Sequence, residues 1–183
     1  MFQINENKTT SGKDYVLFQK RHPLFGTNNS LLDITAAGHL SAGEQVEDGI
    51  REVQEELGIP ARFEDLLFLG IHYDIGIIKT EVNREFSYSY FLQNVWGLEQ
   101  FQLQTEELAG LLKLEIQEGM ALFAQEISEA NAFFHDIDPA GNLQKAQSIS
   151  IKLTDFVPRF PRYYLKIFVM AQRFFAGEKY LMV

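Results

Sequence analysis

Val46, Ile50, Val53 and Leu57 recur at spacings of four, three and four, which predicts an amphipathic helix docked on a core. Gly58 and Pro60 end it, as a glycine just past the last turn and a proline beyond it commonly do. Tyr15–Gln19 reads as a strand, and 31–37 reads as a second strand leading toward the helix. Further strands are expected over 63–73 and 86–95. In the latter, Phe86, Tyr88 and Tyr90 alternate with Ser87, Ser89 and Phe91. Residues 108–116 begin as a buried strand, 119–132 carry a helical spacing, and 147–153 return as a strand. Pro161 is placed to open a last helix running through Phe175, with Tyr164, Ile167, Phe168 and Phe174 facing inward. Strands interleaved with helices give an α/β architecture. No repeat, low-complexity tract or linker divides the chain, so one domain over 1–183 is expected, with the part from about 117 an extension of it.

The polar side of the first helix changes the picture. Glu52, Glu55 and Glu56 fall within one stripe, because positions three and four apart are neighbours on a helix. Three carboxylates so close repel, and a divalent cation is their natural counterweight. An acidic run is commonly just a solvated face, but this one sits among Gly38, Gly43, Glu44, Arg51 and Gly58 at set offsets. Arg51 lies four residues before Glu55 and seven after Glu44, so its guanidinium can hold carboxylates in a fixed orientation.

The segment from Gly38 to Ile59 resembles the Nudix box: glycine, five residues, glutamate, a spacer, then Arg51-Glu52-Val53-Gln54-Glu55-Glu56-Leu57-Gly58-Ile59. It departs at one point. Six residues, Gln45 to Ile50, stand between Glu44 and Arg51 where the family pattern has seven. The resemblance implies a Nudix α/β/α sandwich with a mixed central sheet. It also implies a Mg²⁺- or Mn²⁺-dependent hydrolase that cuts the diphosphate linkage of a nucleoside diphosphate joined to another moiety. By the same analogy Glu52, Glu55, Glu56 and the Gly38 carbonyl hold the metal, Arg51 orients, and Glu44 and Gly58 support the motif. The general base is left open among Glu55, Glu56, Glu85, Glu106 and Glu107. Arg21, His39, Arg84 and Glu85 are candidates for the substrate, the two arginines because guanidinium forks match phosphate oxygens.

The residues around Gly38 and the phrase Asn83-Arg84-Glu85-Phe86 are similar to the isopentenyl diphosphate isomerase-like branch of this family. There a cysteine precedes the Gly-His pair and works as half of an acid/base couple. Ala37 stands at that position, and the chain contains no cysteine. Pyrophosphohydrolysis is therefore expected, with the isomerase and a catalytically silent ligand-binding module as alternatives.

Composition bounds these readings. The 183 residues carry a formal net charge of −9, which disfavours a nucleic-acid surface and leaves a phosphate-bearing small molecule to be received by metal and a few local cations. Zero cysteines exclude disulfides and thiolate sites and are compatible with a cytoplasmic location. Neither a signal peptide nor a membrane-spanning stretch is visible. Tyr73, Phe86, Tyr88 and Tyr90 suit either a stacking wall or, as is more usual for strand aromatics, packing. His135, Asp136 and Asp138 read as an acidic turn, not a metal cluster. Relatives carry a strand ahead of the Tyr15 strand, where this chain has only Met1 to Lys8, so an exposed sheet edge and a homodimer covering it are expected.

Overall fold

The computed structural model describes residues 2–6, 12–25, 28–78, 81–159 and 162–182, with backbone alone for 2–6, 74–78 and 81–83. Strands β1 (Phe2–Glu6), β2 (Tyr15–Arg21), β3 (Leu32–Ile34), β4 (Leu66–Ile78), β5 (Glu81–Asn94), β6 (Leu108–Glu115), β7 (Ala130–Asp136) and β8 (Gln147–Ile151) join in one sheet. Their order is β4-β5-β1-β2-β6-β7-β8, with β3 also on β2. The β1–β5 pair is parallel and the other pairs are antiparallel, so the sheet is mixed. Helix α1 (Arg51–Leu57) packs on one face, and α2 (Ile116–Phe123) and α3 (Tyr163–Phe175) pack on the other.

β2 is the central strand. Its run Tyr-Val-Leu-Phe-Gln is buried throughout because both faces are covered, and a strand enclosed this way reads as continuous rather than alternating hydrophobicity. Val16 and Phe18 face the α2/α3 core with Tyr163, Ile167 and Phe168; Leu17 faces the α1 core with Val53, Leu57 and Leu111. The α2/α3 side is rich in edge-on ring contacts, with Phe18 5.1 Å from Phe156 and Phe123 4.9 Å from Phe156. No helix among the described residues is long and apolar enough to cross a membrane.

Several expectations change. β1 occupies the position ahead of β2 where an exposed edge was expected: it pairs Phe2–Glu6 with Tyr90–Asn94 and joins β2 through Asn5 and Glu6. The edge on which a homodimer was expected is therefore closed from within. The helix expected over 119–132 begins at Ile116 and ends at Phe123, and Ala130–Ala132 belong to β7. Glu115 caps that helix by accepting from the Glu118 amide at 3.0 Å, a start signal masked by the apolar run before it. Residues 31–37 form only the three-residue β3, and 63–65 make a 3-10 turn before β4. The turn residues Thr9 to Ser11 and the proline at 161 lie outside the described residues. Asp138 organises the acidic turn by accepting from Ala140 and Asn142, which accounts for it without a metal.

Candidate metal-dependent hydrolytic site

The site begins with the geometry of α1. Its first turn is preceded by a 3-10 segment, Val46–Ile50, and it closes at Gly58, which adopts φ 69° and donates its amide to the Gln54 carbonyl at 3.0 Å. A side chain at Gly58 would be strained at that φ and would meet the Gln102 carbonyl at 2.7 Å. The spacer folds as that 3-10 segment, and across it Glu44 reaches Arg51: its Oε1 accepts from Nη1 at 2.7 Å, while Oε2 accepts from the Ser41 amide at 2.6 Å. The Ser41 amide, with help from Arg51, holds the Glu44 carboxyl below its ordinary range.

Arg51 also donates to Glu52 at 3.0 Å and to the His39 carbonyl at 3.3 Å, so one guanidinium ties the motif loop, Glu44 and the helix together. Glu52 leans over Gly38, where a Cβ would overlap its carboxylate. Partial burial raises the Glu52 pKa against the pull of Arg51. Glu56 is buried, its Oε2 accepting from the Ala37 amide at 3.4 Å. Desolvation first, and then the negative charge of Glu107, push it up to about 8.

The three helix acids thus have different surroundings. Glu55 is exposed, Glu52 is half-buried, and Glu56 lies on the inward face with Val53 and Leu57, not on a face well apart from the apolar stripe. Among the described residues no three acids or histidines stand close enough together to enclose an ion. Glu52 turns to Arg51 and Glu56 to the Ala37 amide, as like charges do when each has its own donor. The donor set nevertheless fits a hard cation. Carboxylate oxygens and a backbone carbonyl are what Mg²⁺ takes, and the missing side chain at Gly38 leaves room for the Glu52 carboxylate against the motif loop.

Of the loop acids, Glu107 joins this group: its charge acts on both Glu52 and Glu56, and its carbonyl accepts from the His22 amide at 2.7 Å. Glu85 instead stands 3.8 Å from His39, linking β5 to the motif loop. Glu106 is exposed and lines a cleft of about 330 Å³ together with Glu55 and Gly58. Arg21 lies near enough to Glu56 to lower its pKa, so the structure brings it to the acids. Arg84 is exposed on the face of β5 opposite Glu85.

Two residues of this neighbourhood escaped the sequence reading. Arg159 donates to Asp33 through Nη2 at 2.6 Å and Nε at 3.1 Å, and Arg21 stands 3.6 Å from the other Asp33 oxygen. Asp33 could have been noticed as a charge inside an otherwise apolar strand, Leu32-Asp33-Ile34. Nothing in the sequence linked it to Arg159. A cleft of about 520 Å³ opens beside Arg159, lined by Phe123, Phe156 and Tyr164 and not by the helix acids.

Comparison with known proteins identifies the family. The family model described as NUDIX domain matches residues 4–132. An uncharacterised Nudix hydrolase of Clostridium acetobutylicum is 37% identical over 157 residues, 86% of this chain and 76% of that protein. Among solved structures, a MutT/nudix family protein from Enterococcus faecalis is similar with a TM-score of 0.52 at 15% identity. That likeness spans 80% of this chain and 53% of that one, about half its length, and concerns the fold alone. A C. elegans Ap4A hydrolase aligns with a TM-score of 0.46 at 19% identity, over 65% of this chain and 80% of that one. With the family model covering most of the chain and a Nudix hydrolase 37% identical to it, the protein belongs to the Nudix family and is a hydrolase of pyrophosphate bonds.

Proposed function

We propose that the protein is a Mg²⁺- or Mn²⁺-dependent pyrophosphohydrolase that cleaves the diphosphate linkage of a nucleoside diphosphate joined to another moiety. The observation that carries this reading is the acid-bearing box helix against the motif loop: Glu52 fills the space a side chain at Gly38 would take, and buried Glu56 is pushed up to about 8 by desolvation first and then by the charge of Glu107. Glu52, Glu55, Glu56 and the Gly38 carbonyl are the proposed ligands. When bound there, a divalent cation polarises the phosphoryl oxygens, makes the attacking water more acidic and offsets charge on the leaving phosphate.

The residues themselves have distinct tasks. Arg51 holds Glu52 and Glu44 in place and does not react. Arg21, steadied by Asp33, is positioned to receive a phosphate oxygen next to the acids. Glu107 accepts the proton of the attacking water: it is exposed, and its charge acts on both Glu52 and Glu56. His39 and Glu85 brace the loop from the β5 side. The same reading takes 1–183 as one cytoplasmic domain. The isomerase alternative lacks the thiol it needs, because Ala37 precedes Gly38. The silent module is disfavoured by the complete set Arg51, Glu52, Glu55 and Glu56.

The test is a panel of nucleotide sugars, ADP-ribose, dinucleotides, oxidised nucleoside triphosphates, thiamine diphosphate and isopentenyl diphosphate, with Mg²⁺ and products read by phosphorus NMR. Cleavage of a nucleoside diphosphate derivative, lost in Glu56→Gln, is the expected result. Double-bond migration, or turnover that survives in both Glu55→Gln and Glu56→Gln, would overturn the assignment.

A further inference from the structure

The β4–β5 hairpin has two unlike faces. One packs on α3, with His72 4.7 Å from Tyr163 and Phe91 6.0 Å from Phe174. The other carries Phe68, Ile71, Tyr73, Phe86 and Tyr88, which are 48%, 37%, 55%, 63% and 37% exposed. The register sets Tyr73 opposite Phe86 and Ile71 opposite Tyr88, so these side chains form one continuous surface. The α1 core reaches only its inner end, at Tyr90. Among the described residues β5 pairs with β4 alone from Glu81 to Ser89, and a two-stranded ribbon with one face left open to water is marginal.

We propose that this aromatic face is the two-fold interface of a homodimer. The inference does not rest on the hydrolase reading. A large side chain buries 150–250 Å², so these five leave roughly 500 Å² of apolar surface open. That is the centre of a stable interface, which needs about 800 Å² per partner including a polar rim.

The rim favours a second copy over another occupant. At a net charge of −9 two copies repel overall, so contact requires local complementarity. Arg84 is exposed at the outer end of this face, two positions beyond Phe86. Exposed Glu47 lies at the inner end, close enough for its charge to act on Tyr90. A two-fold axis through the middle of the patch sets Arg84 of one copy against the partner's Glu47, and the reverse, which makes the surface self-complementary. A stacking site for a base fits less well. Tyr73 and Phe86 meet edge-on at 83°, and neither of the clefts described above is lined by these residues.

Sedimentation equilibrium of the full chain at micromolar concentration tests this. The wild type is expected to be a dimer. Tyr73→Ser with Phe86→Ser raises the dissociation constant by about tenfold or more while circular dichroism is unchanged, and Phe86→Leu, which keeps the apolar area, largely preserves it. Arg84→Glu weakens the dimer, and adding Glu47→Arg restores it. A monomeric wild type, an unchanged constant in the double serine variant, or no recovery on charge reversal would overturn the proposal. So would a monomer whose Tyr73 and Phe86 NMR signals respond to a non-hydrolysable dinucleotide.

Discussion

Asp33 accepts a 2.6 Å hydrogen bond from Arg159, a residue in the segment between β8 and α3, and both side chains are almost wholly out of solvent. A buried ion pair is costly to form and costlier to break, because removing one partner strands the other charge. Here the pair also sits behind Arg21, which stands 3.6 Å from Asp33 and acts on Glu56.

Asp33→Ala is therefore expected to lower stability by about 3–5 kcal/mol, measured by urea unfolding. Asp33→Ala combined with Arg159→Met recovers most of that loss. The double variant should still show a raised KM, because Arg21 has lost its anchor. Recovery of stability without any change in KM would show that Asp33 serves the core only.

The Glu56 carboxyl gives the metal-free protein an unusual pH response. Its folded pKa, about 8, lies above the ordinary 4.5, so between those values the folded state holds a proton that the unfolded state has released. Stability consequently falls as pH rises through this window, by up to about 1.4 kcal/mol per unit, and levels above it. Glu56→Gln removes the slope. Mg²⁺ uptake at pH 7 should release close to one proton, visible in calorimetry as a dependence of the heat on buffer ionisation enthalpy.

Glu107→Gln is expected to reduce kcat by about 10²- to 10⁴-fold with little effect on KM, the signature of a group that moves a proton rather than binds substrate. The same change at Glu106 should have a minor effect. Equal losses at the two positions would argue for general electrostatics in place of a specific base.

Gly38→Ala tests the cation site without removing a charge. Its methyl group would overlap the Glu52 carboxylate, so Mg²⁺ affinity should drop at least about tenfold by calorimetry while the melting temperature shifts little. At Gly58 the outcome differs in kind. Gly58→Ala strains a left-handed residue and crowds the Gln102 carbonyl, so stability should fall by about 1 kcal/mol or more.

The motif residues were legible because their chemistry and their spacing point the same way: Arg51, Glu52, Glu55, Glu56 and Gly58 needed only a helix. Even so, the different roles of the acids were partly readable and passed over. Val53, Glu56 and Leu57 stand at i, i+3 and i+4, so Glu56 shares the buried face. β1 was missed because Phe2–Glu6 alternates too briefly to stand out, and its partners in β5 supply the reason it forms. The start of α2 was hidden by the apolar run of β6, which continues into the helix without a break in hydrophobicity. Tyr73 and Phe86 were expected to pack, by the habit of strand aromatics, yet they remain open because α1 ends short of them. Arg159 has no local signal, since its ion pair with Asp33 is made across the fold.

The place of β1 bears on how the molecule assembles. Among the described residues it is the sole backbone link between the long hairpin and the rest of the sheet, bonded to β5 on one side and β2 on the other. A segment made early in synthesis must therefore wait for one made much later before the two halves can be zipped together. Such late, long-range closure slows folding, and until it happens the hairpin and the β2–β6 half are separate pieces with raw edges.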